Sequence, residues 1–183
     1  LADQNSTAIL PDGTLGKGVT QVEIDRREVT NDKGGASRLE LSHDGYVKRH
    51  GFAHRRLLIL ASAGWELRGE DMLVPQGRKR RHDGLAFAIR FHLGPDVEPS
   101  LTADGQGALL RLAGGALWQL RCAGASMRIE DSLWVDSNGR PNPTFQLELS
   151  GTLPAGGASI GWLLKQTAYI QPHYSPLTAR RFS

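Results

Sequence analysis

Cysteine is nearly missing. Cys122 is the single one in 183 residues, so no intrachain disulfide can form and cysteine usage leaves the redox compartment open. Within LWQLRCAG it reads as a small core residue rather than a nucleophile. No apolar run approaches the ~20 residues that a membrane-spanning helix needs, and no secretory leader is visible. The chain opens on Leu1 instead of methionine, which reads as a start after a cleavage or as a piece of a longer product. Several motifs are also missing: there is no GxSxG, no phosphate-binding loop, no GxGxxG and no HExxH, so the chemistries they mark have no support here. Neither charge sign dominates. The net charge of +3 permits an anionic partner without requiring one. Neither nucleic acid nor a membrane is expected as a partner.

What is abundant is glycine, 22 residues, with 9 prolines beside it. Many short elements joined by tight turns account for that count. The dominant hydrophobic period is two. In LAFAIRFHL, Leu85, Phe87, Ile89, Phe91 and Leu93 share one side. LWQLRC, MRIEDSLWV, FQLEL and SIGWLLK alternate in the same way, and TQVEID and RLELS do so more noisily. RRLLILA reads as a strand covered on both faces. Turn signals such as Asp12-Gly13, Asp44-Gly45, Asp104-Gly105 and Asn138-Gly139 separate the runs. Strands at intervals of about ten residues with such turns predict an all-β fold, an antiparallel β-sandwich or stacked sheets. The tail, 166–183, has two prolines and no alternation, so it is expected to lie over the surface or fray.

The stretch with most chemical potential is LSHDGYVKRHGFAHRR, residues 41–56. By parity His43 ends a strand on its apolar side, Asp44-Gly45 makes the turn and Tyr46 starts the return. Three readings stay open. The stretch is a polar turn with satisfied histidines. Alternatively His43, Tyr46 and His54 line a groove edge, with Arg55 and Arg56 adding positive charge. Or His50 and His54, four apart, ligate a metal, although Gly51 argues against the helix that this spacing needs. The basic run Arg78 to Arg81 reads as a solvated loop or a contact for a polyanion. Adjacent acids Glu70 and Asp71, and likewise Glu130 and Asp131, face opposite ways on a strand and make no acid/base dyad. They read as turn and edge residues. If the domain bound sugar alone, its platform would come from Trp65, Trp118, Trp134, Trp162 and Tyr46. Trp118 and Trp162 are in phase with apolar neighbours, whereas Trp65 sits in a turn and is the exposed candidate.

LADQNSTAILPDGTLGKG, LELSHDGYVKRHGFAHRR, LRGEDML, LAFAIRFHLGPDVEPSLTADGQGALL and RIEDSLWVDSNGRPNPTFQLELSG together resemble the C-terminal β domain of heparinase II/III-like polysaccharide lyases of the alphaproteobacterial type. The resemblance covers Leu1 to Lys165. It implies a β-sandwich that packs beside an N-terminal α/α toroid and helps close a cleft for an acidic, uronate-containing glycan, which such lyases cleave by β-elimination. It also implies a periplasmic or exported protein. The toroid with the family's catalytic Asn, Tyr and His has no counterpart here. Nor has the upstream β segment that carries a histidine and, in some members, zinc ligands. No catalytic residue and no cofactor are therefore carried onto this chain, and whether it is an enzyme alone stays open. His43, Tyr46, His54, Arg55 and Trp65 are the candidate substrate-binding residues. A stand-alone carbohydrate-binding module and a purely structural β domain are the alternatives.

Overall fold

The computed structural model describes residues 1–31, 34–77 and 83–169. The chain order is β1 (Val22–Asn31), β2 (Gly34–His43), α1 (Val47–His50), β3 (Phe52–Ala61), β4 (Glu66–Pro75), β5 (Leu85–His92), β6 (Val97–Leu101), β7 (Gly107–Leu112), β8 (Ala116–Ala123), β9 (Ser126–Val135), β10 (Pro141–Leu153) and β11 (Ala158–Tyr169). Eight strands form one antiparallel sheet in the order β1-β2-β3-β4-β11-β8-β7-β6. The other three form a second sheet, β5-β10-β9. The all-β sandwich expected from the alternation is the fold found.

The core lies between the sheets. The odd residues of β5 and the leucines Leu147, Leu149 and Leu153 of β10 meet Phe52, Leu73, Ile160 and Trp162 of the large sheet. Phe52, Leu147, Leu149, Leu153 and Ile160 are essentially sealed from solvent, and each such side chain contributes about 1.5–3 kcal/mol of transfer free energy. The short connections sit where the turn residues predicted them. Gly13, Gly64, Gly105 and Gly139 all have positive φ.

The register decides which side chains meet on the inner face of the large sheet. Leu58 of β3 lies opposite Gly69 of β4, Gly69 opposite Trp162 of β11, and Trp162 opposite Cys122 of β8. Gly69 is there because Trp162 lies flat across it: a Cβ at 69 would sit 2.0 Å from the indole ring. Phe91 of the small sheet closes edge-on against the same indole, with centroids 5.0 Å apart.

Several expectations need correction. Asp44-Gly45 does not close a tight hairpin. The chain continues from Tyr46 into the single helical turn α1, which stops at Gly51 (φ 78°) before β3 begins. His50 therefore ends that turn and His54 lies in a strand, so the two share no helix. Glu70 and Asp71 lie within β4, inside the large sheet, rather than in a turn or at an edge, and Asp71 is among the most buried of the described residues, whereas Glu130 and Asp131 lie on β9, an edge strand of the small sheet, as expected. β11 runs through the residue-165 boundary. The run Arg78 to Arg81 and the segment from residue 170 onward lie outside the described residues.

Gly69→Ala is expected to lower stability by about 1–3 kcal/mol, because the new methyl must displace the Trp162 ring. Gly94→Ala, where an added Cβ meets nothing within 4 Å, is the control and should stay within about 0.5 kcal/mol of the parent. Urea denaturation of both variants measures the difference.

Candidate functional site

The inner face of β2, β3, β4 and β11 carries a connected set of polar side chains. Strand parity puts His54 and Arg56 of β3 on the same side as Phe52 and Leu58. The register then sets His43 opposite His54, and Arg56 opposite Asp71. Asp71 is 2% exposed. Its Oδ1 accepts from Nε2 of His54 and Nε of Arg56, both at 2.7 Å, and its Oδ2 accepts from Nε1 of Trp162 at 2.9 Å. Burial alone would raise this carboxyl. The hydrogen bonds from His54, Arg56 and Trp162, with the Arg56 charge, outweigh it and hold the group below the usual carboxylate value.

The chain of bonds continues through the two imidazoles. Nδ1 of His54 lies 3.1 Å from Nε2 of His43, and the Gly45 N–H donates to Nδ1 of His43 at 3.2 Å. This pattern fixes both tautomers. The amide proton of Gly45 makes His43 Nδ1 an acceptor. His43 then carries its proton on Nε2 and donates to His54 Nδ1, and His54 carries its proton on Nε2 and donates to Asp71. Burial, the neighbouring His54 and Arg56 push His43 below the ordinary imidazole value, and Asp44 opposes this only in part. Asp44 itself faces outward. It accepts from both N–H groups of Thr20 and Gln21 and from the Thr20 hydroxyl, which brings its pKa down to about 2.

Tyr46 packs on this network. Its ring centroid is 5.6 Å from His43 and 6.5 Å from His50, and burial raises its phenol. Tyr46, His54 and Asp71 line a cavity of about 80 Å³ between the sheets, closed by Leu1, Phe87 and Ile160. That space suits a few waters and is too small for a sugar ring.

The structure thus brings together three of the candidates, His43, Tyr46 and His54. Arg55 points to the opposite face of the sheet, where it pairs with Glu40. Trp65 sits beyond the far end of β3, 58% exposed. Asp71 and Trp162 joined the cluster without having been singled out for it. Trp162 is buried in the core, as its phase suggested, and its indole N–H finds its partner in a carboxylate 91 residues away. A general base must offer a free lone pair to its substrate. All four ring nitrogens of His43 and His54 are engaged within the protein, so this cluster braces four strands and is not arranged to abstract a proton.

The family model described as heparinase II/III-like, C-terminal, matches residues 1–163. The FtsZ-localized protein C of Caulobacter vibrioides is 34% identical over 190 residues, which cover 90% of this chain and 31% of that protein. The chain therefore spans about a third of the length of the curated relative it matches. The heparan sulfate lyase HepC of Pedobacter heparinus superposes with a TM-score of 0.65 at 10% identity, over 84% of this chain and 23% of that one. A heparinase III superposes with a TM-score of 0.63 at 12% identity, over 92% of this chain and 24% of that one. At such identities these two likenesses establish the fold.

Asp71→Ala is expected to cost about 3–5 kcal/mol, because it strands the Arg56 guanidinium and the Trp162 N–H. The urea midpoint reports it. The pH dependence follows from His43. Its folded pKa lies below 6.5, so the unfolded chain binds the proton more readily. The stabilisation is complete above that value and is lost as pH falls toward the folded pKa. Melting temperature should fall as pH drops from about 7 to about 5, and His43→Gln should flatten that segment of the profile.

Proposed function

The chain belongs to the heparinase II/III-like C-terminal family, and from that premise we propose that it is the non-catalytic β-sandwich of a polysaccharide lyase acting on acidic, uronate-containing glycans. In this reading it supports the substrate cleft beside an α/α toroid and contributes no base of its own. The observation that carries it is the saturation of His43 and His54. Elimination needs a group that removes the proton next to the uronate carboxylate and a second group that protonates the leaving oxygen. His43 and His54 hold their protons in bonds to one another and to Asp71. For the same reason the proposal assigns no metal to this cluster.

The 34% identity to a protein named for its localisation with FtsZ favours a second reading, in which the domain belongs to a protein working at the division site. Among the described residues no helix is long and apolar enough to cross a membrane. A fluorescent fusion of the protein in its natural reading frame distinguishes the two. A midcell band supports the division-site reading, and a uniform signal in the periplasm supports an exported lyase.

The purified chain should release no unsaturated uronate from heparan sulfate, chondroitin, hyaluronan or alginate, as followed by ultraviolet absorbance. Product formation that His54→Gln abolishes would overturn the non-catalytic reading.

A further inference from the structure

The outer face of the small sheet, turned away from the core, is built differently from the rest of the surface. Along β9 the even residues Arg128, Glu130, Ser132 and Trp134 share this face in an unbroken register with Glu148, Gln146, Thr144 and Asn142 of β10. His92 and Arg90 of β5 complete the rows opposite Gln146 and Glu148. Side-chain bonds run across the strands. His92 Nδ1 lies 2.8 Å from Ser132 Oγ, and Gln146 donates to Glu130 at 3.1 Å.

At the centre of these rows Glu148 is 1% exposed although its strand faces outward there. It is covered by two arginines. Nε and one Nη of Arg128 donate to its Oε1 at 3.2 and 2.5 Å. An Arg90 Nη approaches its Oε2 at 2.5 Å, yet that oxygen receives no well-directed hydrogen bond. Arg90 and Arg128 remain 43% and 60% exposed. The carboxylate thus lies beneath two guanidiniums that stay partly exposed, and an Nη of Arg128 also pairs with Glu130 at 3.2 Å. They border a groove of about 420 Å³ with Gln4, Asn5, Ser150 and Thr152, and Asp3 is at its rim. At the other end of the rows Trp134 is 45% exposed. Six residues separate it from Arg128, about 20 Å along the strand.

We propose that this face, from Trp134 to the Arg128–Glu148–Arg90 triad and its groove, binds an anionic oligosaccharide. Its parts fit that class. An exposed indole stacks on a sugar ring. His92, which is exposed, and the partly exposed Ser132 and Asn142 carry hydroxyl-matching donors and acceptors between the ends. Two preoriented guanidiniums suit a carboxylate or sulfate by paired N–H bonds. A nucleic acid strand fits poorly, because a single aromatic does not make a stacking platform. The proposal shares its ligand class with the reading above but uses none of the same residues.

Calorimetry of the protein with a heparin octasaccharide at low salt tests it, with maltooctaose as the neutral control. Binding should weaken as salt rises, and Trp134→Ala and Arg128→Gln should each weaken it about tenfold, the usual scale for losing one good polar or charged contact. Arg121→Gln, on the other sheet, should leave it unchanged. Trp134 is exposed, so its truncation tests the site even if Arg128→Gln unsettles Glu148. The proposal is overturned if the octasaccharide does not bind, if maltooctaose binds equally well, or if neither variant alters affinity. It is also overturned if an oligothymidylate binds more tightly through the same residues. None of these results bears on the elimination assay, whose outcome depends on His43 and His54.

Discussion

One buried carboxylate organises the inner face of the large sheet. Asp71 is sealed inside, and a charge placed there is tolerated only when every lone pair that matters is occupied. His54 and Arg56 from β3 and Trp162 from β11 do this from either side of β4. The requirement spreads outward. Trp162 can reach Asp71 only because residue 69 has no side chain. A neutral His54 that donates to Asp71 accepts at its other nitrogen, which matches a His43 proton on Nε2. The Gly45 amide in the loop before α1 fixes that choice. A loop conformation and a tryptophan in the last strand are thus linked through three side chains, His43, His54 and Asp71.

The two sheets divide polar work between opposite faces. On the large sheet the inward-facing polar groups consume one another, which suits a brace. On the small sheet Glu148 is buried while its two arginines stay open to solvent. Both motifs place an acid beneath its donors, but the guanidiniums of the second are the more exposed, 43% and 60% against 33% for Arg56. That difference, rather than the number of charged groups, separates a structural network from a surface able to meet a ligand.

Strand parity was enough to read the sandwich, the core faces of β5 and β10, and the inward side of His43. Other features depend on long-range register. Asp71 and Trp162 are 91 residues apart, and only the β4–β11 pairing unites them. The acids at 70 and 71 were legible as pointing to opposite faces, but not as one buried and one outside, because periodicity does not say which face is covered. The same limit applies at the end of β9. Leu133 and Val135 continue the apolar phase of Met127 and Ile129 and yet are exposed. Arg55 and Arg56 are neighbours in the sequence, and a strand sends neighbours to opposite sides.

The most direct test of the Asp71-centred account is a nitrogen-15 NMR determination of the His43 and His54 tautomers at neutral pH. The account requires both rings neutral with the proton on Nε2, His54 Nε2–H coupled to Asp71 and His43 Nε2–H directed at His54. A proton on Nδ1 of either ring, or an imidazolium at that pH, would contradict it and would restore His54 as a group able to exchange protons with a substrate.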